Sequence, residues 1–205
     1  MAIPLEVEDV KPRFLVVSIG KPNPWVQAAR TTACHGVMSC IRELARDSHD
    51  QPEIKRELIG GKPTWASHGR PYIFLQCPTG GRDAGNWLKM AYDEMLEKNQ
   101  LCRGDLRLAV IHDDPEGVFG ALNFIPWGRS DRRDTAVRWI ERKLERTDRD
   151  APWLRISIGV KTGRESGIFS GRALRVLDGD VPKQIMEVLE FRGTEWLKAL
   201  RSGPS

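Results

Sequence analysis

Apolar and polar positions along this chain follow two different periods, and the switches between them mark out its elements. Phe14, Leu15, Val16 and Val17 form an unbroken apolar run that ends in Gly20-Lys21-Pro22-Asn23-Pro24. Such a run, bounded by Gly and Pro, predicts a buried strand feeding a loop. Residues 53–67 and 72–77 read as strands separated by turns at Gly60-Gly61 and Gly69-Arg70-Pro71. Residues 106–112 form a second apolar strand running into Asp113-Asp114-Pro115, and residues 153–160 form another. Helical spacing takes over at 35–45, with Val37, Met38, Ile41, Leu44 and Ala45 on one face. It returns at 83–99, with Trp87, Met90, Ala91 and Met95 aligned, and in an amphipathic stretch at 135–146. A last helix is expected at 182–200, with Pro182 near its first turn. After 117–124 the pattern gives only a Gly/Arg-rich loop. Strands alternating with helices indicate an α/β domain. One domain is expected over 13–200, with an extension at 1–12 and a short tail at 201–205 that frays.

Composition narrows the class without naming a function. A chain of 205 residues, 40% apolar and 29% charged, is of single-domain size and globular in character. Its apolar runs are too short to cross a bilayer, and residues 1–10 lack the apolar core of a secretory signal. These features point to the cytoplasm, or to mitochondria if a transit peptide has been removed. Cys34, Cys40, Cys77 and Cys102 have no CxxC spacing and no histidines at ligand spacing, so free thiols are expected rather than a metal site. A net charge of +4 permits a nucleic-acid partner without demanding one.

Candidate chemistry stands at strand exits, where open α/β sheets build their crevices. His35 follows the Gly20 loop, and Asp113 follows the 106–112 strand. A histidine oriented by a carboxylate is the minimal general-base pair for activating water. Taken singly, the same residues also fit a structural histidine and an Asp-Asp-Pro turn.

Read in order, the chain resembles the bacterial-type peptidyl-tRNA hydrolase family. Ser18-Ile19-Gly20-Lys21-Pro22-Asn23 is similar to the family's opening Gly-Leu-Gly-Asn-Pro-Gly loop. Thr32-Ala33-Cys34-His35-Gly36 resembles its Thr-Arg-His-Asn-Ala-Gly signature, and Pro78-Thr79-Gly80-Gly81-Arg82-Asp83 its Pro-x-Thr-Tyr/Phe-Met-Asn segment. Ala109-Val110-Ile111-His112-Asp113-Asp114 matches the strand ending in His-Asp. The stretch from Arg133 through Thr135 to Ile140 resembles the family's Gly-His-Asn-Gly-Leu-Lys helix start, and Leu154-Arg155-Ile156-Ser157-Ile158-Gly159 echoes Leu-Arg-Ile-Gly-Ile-Gly.

The resemblance implies a single-domain α/β fold, a twisted mixed β-sheet flanked by helices, of the phosphorylase/hydrolase-like kind. It implies His35 and Asp113 as the catalytic pair of an esterase that cleaves a peptidyl or aminoacyl group from tRNA, without metal or cofactor. Three asparagines that position substrate and water in the family are replaced by Lys21, Asp83 and Thr135. Lysine offers only donors, ionised aspartate only acceptors, and threonine is shorter, so none reproduces an amide. Lys21 and Asp83 either face each other as an ion pair or point separately to solvent. The replacements keep a second reading open: a catalytically impaired RNA- or partner-binding module on the same fold.

The expected partner is tRNA or another structured RNA, with a protein partner as the alternative and no membrane. The resemblance assigns Arg155 to a terminal-phosphate clamp whose lysine partner is missing from 119–124. Arg138, Arg142 and Arg146 recur every four residues, and Arg129, Arg132 and Arg133 precede them. Arginine forks suit phosphate oxygens. The plainer alternative is a solvated helix face with pairs such as Glu145 and Arg149. Trp127, between Pro126 and Gly128, is the tryptophan placed to stack on a terminal base, whereas Trp87 and Trp196 belong to apolar helical faces.

Overall fold

The apolar run at the start of the domain forms β1 (Arg13–Ile19), which lies between two parallel neighbours. The computed structural model describes residues 13–20, 33–126, 135–144, 154–161 and 177–201. Along the chain follow α1 (Ala33–His49), β2 (Lys55–Ile59), β3 (Lys62–His68), β4 (Tyr72–Gln76) and α2 (Gly81–Asn99). Then come β5 (Leu106–Val118), β6 (Leu122–Pro126), α3 (Thr135–Lys143), β7 (Leu154–Lys161) and α4 (Asp180–Arg201).

The strands form one sheet of seven in the order β2-β3-β4-β1-β5-β7-β6. Its centre is parallel, with β1 pairing β4 and β5, and β5 pairing β7. Both margins turn antiparallel through β2–β3–β4 and β6–β7. Because strand side chains alternate, Leu15 and Val17 face one layer while Phe14 and Val16 face the other. The first layer is closed by Trp87, Leu88, Ala91 and Met95 of α2 with Ile140 of α3. The second is closed by Val37, Met38 and Ile41 of α1 with Ile185 and Leu189 of α4. Burial on both faces is why the central strands read as continuous apolar runs. Among the described residues no helix is long and apolar enough to cross a membrane, and the four cysteines are free thiols.

Three local expectations change. β5 does not stop at His112 but continues through Asp113-Asp114-Pro115 to Val118, with an irregular register against β7 between Asp114 and Val118. Gly159 permits this: a Cβ there would lie 1.9 Å from the Val118 carbonyl oxygen. β6 replaces part of the expected loop; it is an edge strand ending in proline, the kind that lacks a two-sided apolar signature. Met90, counted with the apolar face of α2, is 54% exposed.

The hairpin between β2 and β3 turns on Gly60 and Gly61, with φ of 57° and 72°, a conformation that suits glycine. Trp87 packs against this turn, and its indole N–H donates to the Ile59 carbonyl at 2.9 Å. Glu94 accepts from the Gly60 N–H at 2.8 Å. α2 is thereby fastened to the β2–β3 margin of the sheet.

Candidate functional site

The chain order of the parallel strands sets the site. β1 lies between β4 and β5, with α1 on one face and α2 on the other, and the carboxyl ends of such strands are where open α/β sheets place their sites. Ser18 and Ile19 of β1, His112 and Asp113 of β5, and the first turn of α1 meet there.

His35 is nearly buried in the first turn of α1. Its Nδ1 and the Ser18 hydroxyl are 2.7 Å apart in a buried hydrogen bond. Burial disfavours the imidazolium and brings the His35 pKa down to about 4. The ring is therefore neutral at pH 7. Asp113 does not orient this ring. Its Oδ1 accepts from the Cys34 backbone N–H at 2.9 Å, and no direct hydrogen bond or ion pair joins it to His35 among the described contacts. A carboxylate at this place satisfies donors that a helix start leaves open and opposes the helix dipole. Burial nevertheless raises the Asp113 pKa, and the Cys34 and Ala33 backbone N–H groups only moderate the rise. Cys34 adds a second fastening, its thiol donating to the Ile19 carbonyl at 3.2 Å.

The two residues singled out as a catalytic pair are thus brought to the start of α1, Asp113 on the amide of Cys34 and His35 on Ser18, with no hydrogen bond between them among the described contacts. A base whose conjugate acid has a pKa near 4 is a weak proton acceptor at neutral pH. The Ser18 hydroxyl is fully buried, so it is not presented as an alternative nucleophile.

Of the expected substrate-positioning and phosphate residues, Asp83, Thr135, Arg138, Arg142 and Arg155 are among the described ones. Asp83 is exposed in the first turn of α2 and Thr135 is the first residue of α3. Lys21, Arg129, Arg132, Arg133, Arg146, Glu145, Trp127 and Arg149 lie outside the described residues. The expected Lys21–Asp83 pair falls there with Lys21. Arg155 is buried beneath α3, with Nη1 3.7 Å from Glu141 Oε1 and a side chain only 4% exposed. In this arrangement its guanidinium lies beside the Glu141 carboxylate. Arg138 and Arg142 are exposed on α3.

Arg82 and Trp139, to which the sequence reading assigned no role, join the expected phosphate residue Arg142 on this surface. Arg82, from the first turn of α2, places its guanidinium carbon 5.1 Å from the centre of the Trp139 ring. Arg142 places its own at 5.2 Å from the same ring. Cation–π contacts at these distances fix otherwise flexible side chains. The clue in the sequence was the i,i+3 spacing of Trp139 and Arg142; the Arg82 contact crosses between helices and leaves no local trace. Gly85 makes the approach of α2 to α3 possible, because a Cβ there would lie 2.6 Å from the Trp139 carbonyl oxygen. Gly85→Ala should therefore cost about 1–3 kcal/mol of stability through overpacking. Urea unfolding checks this, and a variant as stable as the parent would show that α3 shifts freely.

No family model matches the chain, and no curated protein matches it. Solved structures do resemble it. A peptidyl-tRNA hydrolase crystallised with N-propanol aligns with a TM-score of 0.58 at 13% identity, over 92% of this chain and 94% of that one. Peptidyl-tRNA hydrolase from Acinetobacter baumannii aligns with a TM-score of 0.56 at 14% identity, over 91% and 95%. A point mutant of the Acinetobacter baumannii protein gives 0.59 at 12% identity, over 92% and 94%. The chain has the peptidyl-tRNA hydrolase fold: a mixed α/β sheet with helices on both faces.

Proposed function

We propose that this chain is a non-hydrolytic RNA-binding module built on the peptidyl-tRNA hydrolase fold. The observation that carries the reading is the separation of the two groups an esterase would couple. Asp113 is engaged by the amide at the start of α1, and His35 by the Ser18 hydroxyl. Water activation by imidazole relies on a carboxylate to hold the tautomer and stabilise the imidazolium as it forms. Without that contact, burial leaves His35 neutral and weakly basic. The RNA half of the reading is supported by the exposed Arg82, Arg138 and Arg142, two of them gathered on the Trp139 ring.

Short acyl-tRNA substrates test the first half. The expected result is cleavage no faster than in buffer, with His35→Ala indistinguishable from the parent. The second half is tested by tRNA binding across a salt series, which should weaken steeply as salt rises. One observation favours an esterase instead: Asp113 contacts the residue immediately before His35, so a small rearrangement would join the pair. Cleavage that disappears in His35→Ala would establish that reading and reject ours.

A further inference from the structure

We propose that Arg82 and Arg142, held on the Trp139 ring, form a phosphate clamp between α2 and α3 that grips consecutive phosphates of an RNA strand. This inference rests on the RNA-binding reading and names its point of contact. Both guanidinium carbons lie just over 5 Å from one ring centre, which keeps them within roughly 10 Å of each other. That upper limit is of the order of the separation between neighbouring phosphates along one strand, so two guanidinium groups can meet two phosphates.

Among the described residues of α3, the acidic side chain is turned away from this surface. Glu141 is the sole acidic residue of α3, and it points inward to Arg155. The outward residues of that helix are Arg138 and Arg142, with Lys143 half-buried beside them. Across the gap, Asp83 follows Arg82 and is the nearest opposing charge in sequence. Neither clamp guanidinium forms an ion pair with a carboxylate among the described contacts; each has the ring as its contact. Gathering two like charges around one aromatic ring is unfavourable by itself, and a bound polyanion relieves it. Arginine already held against a ring also loses less rotamer freedom when a phosphate arrives. Arg82 lies in the first turn of α2, the helix that follows β4, and the carboxyl ends of parallel strands are where open α/β sheets bind ligands.

The probe is a fluorescein-labelled single-stranded RNA of a dozen nucleotides, followed by anisotropy from low to physiological salt. Arg82→Gln/Arg142→Gln should weaken binding about ten-fold or more and flatten the log–log salt dependence by between one and two units. Lys55→Gln/Arg56→Gln removes the same charge from exposed positions on edge strand β2 and should leave affinity within two-fold. Trp139→Phe should retain most of the affinity, and Trp139→Ala should lose it along with the ordering of both arginines. Equal losses in the β2 variant, or an unaltered Arg82/Arg142 double variant, would overturn the clamp while leaving RNA binding intact. Failure of the parent protein to bind the RNA at any salt would overturn the RNA-binding reading itself, and the clamp with it.

Discussion

Acidification from pH 7 to pH 4 is expected to remove about 3 kcal/mol of folding stability through His35 alone. In the unfolded chain this imidazole takes up a proton near its ordinary value of 6.5, whereas in the fold burial delays uptake to about 4. Between those values the unfolded state binds more protons, so stability rises with pH. The His35 contribution is complete above pH 6.5, fades below it, and is gone near pH 4. Asp113 acts with the opposite sign. Its raised pKa makes the folded state hold a proton longer, so its contribution is largest in acid and fades as pH climbs through the folded value. His35→Gln separates the two, since it removes the titrating ring and leaves Asp113 in place. Urea unfolding at several pH values between 7 and 4 should show the parent losing about 3 kcal/mol more than the variant. Parallel stability curves for the two proteins would show that His35 titrates normally, and that a catalytic partner for it has to be sought again.

Trp87→Ala should be the most damaging single truncation, at about 3–5 kcal/mol. The side chain is 1% exposed, and it bridges the α2 layer and the β2–β3 turn. Its removal opens a cavity, and it also leaves the Ile59 carbonyl without the indole N–H that lies 2.9 Å away. Against a total stability of about 5–15 kcal/mol this is a large share. The midpoint of denaturant unfolding should fall sharply for Trp87→Ala and less for Trp87→Phe, which keeps most of the packing but loses the donor. A loss below about 1 kcal/mol would mean that the turn and helix are held by other contacts, with Glu94 and Gly60 the first to test. The effect reaches the candidate site because the same helix carries Arg82 at its first turn.

Several features of the fold were legible because they leave a local pattern. The apolar runs of β1 and β5 could be read since both faces of these strands are covered, so nearly every position is apolar. α2 could be read from its spacing, although Met90 shows that an apolar residue on the margin of a face need not be buried. β6 was missed because an edge strand of five residues, with proline at its end, carries neither a long run nor clear alternation. The extension of β5 was missed for a different reason. Asp113-Asp114-Pro115 has the composition of a turn, and only pairing with β7 holds it in the sheet.

Local patterns in the chain were enough to give the α/β class and the order of the main elements, and to single out His35 and Asp113; that Asp113 lies within β5 was not legible. These depend on periodicity and on residues close together in the chain. The tertiary structure alone decided which atoms meet. The carboxylate of Asp113 bonds the amide of Cys34, 79 positions away in sequence, and not the neighbouring imidazole. Arg155 is directed inward to Glu141, while Arg82 reaches across to Trp139. Such choices follow from strand register, helix start and the approach of one helix to another, where a shift of one residue redirects a side chain. No local pattern encodes them.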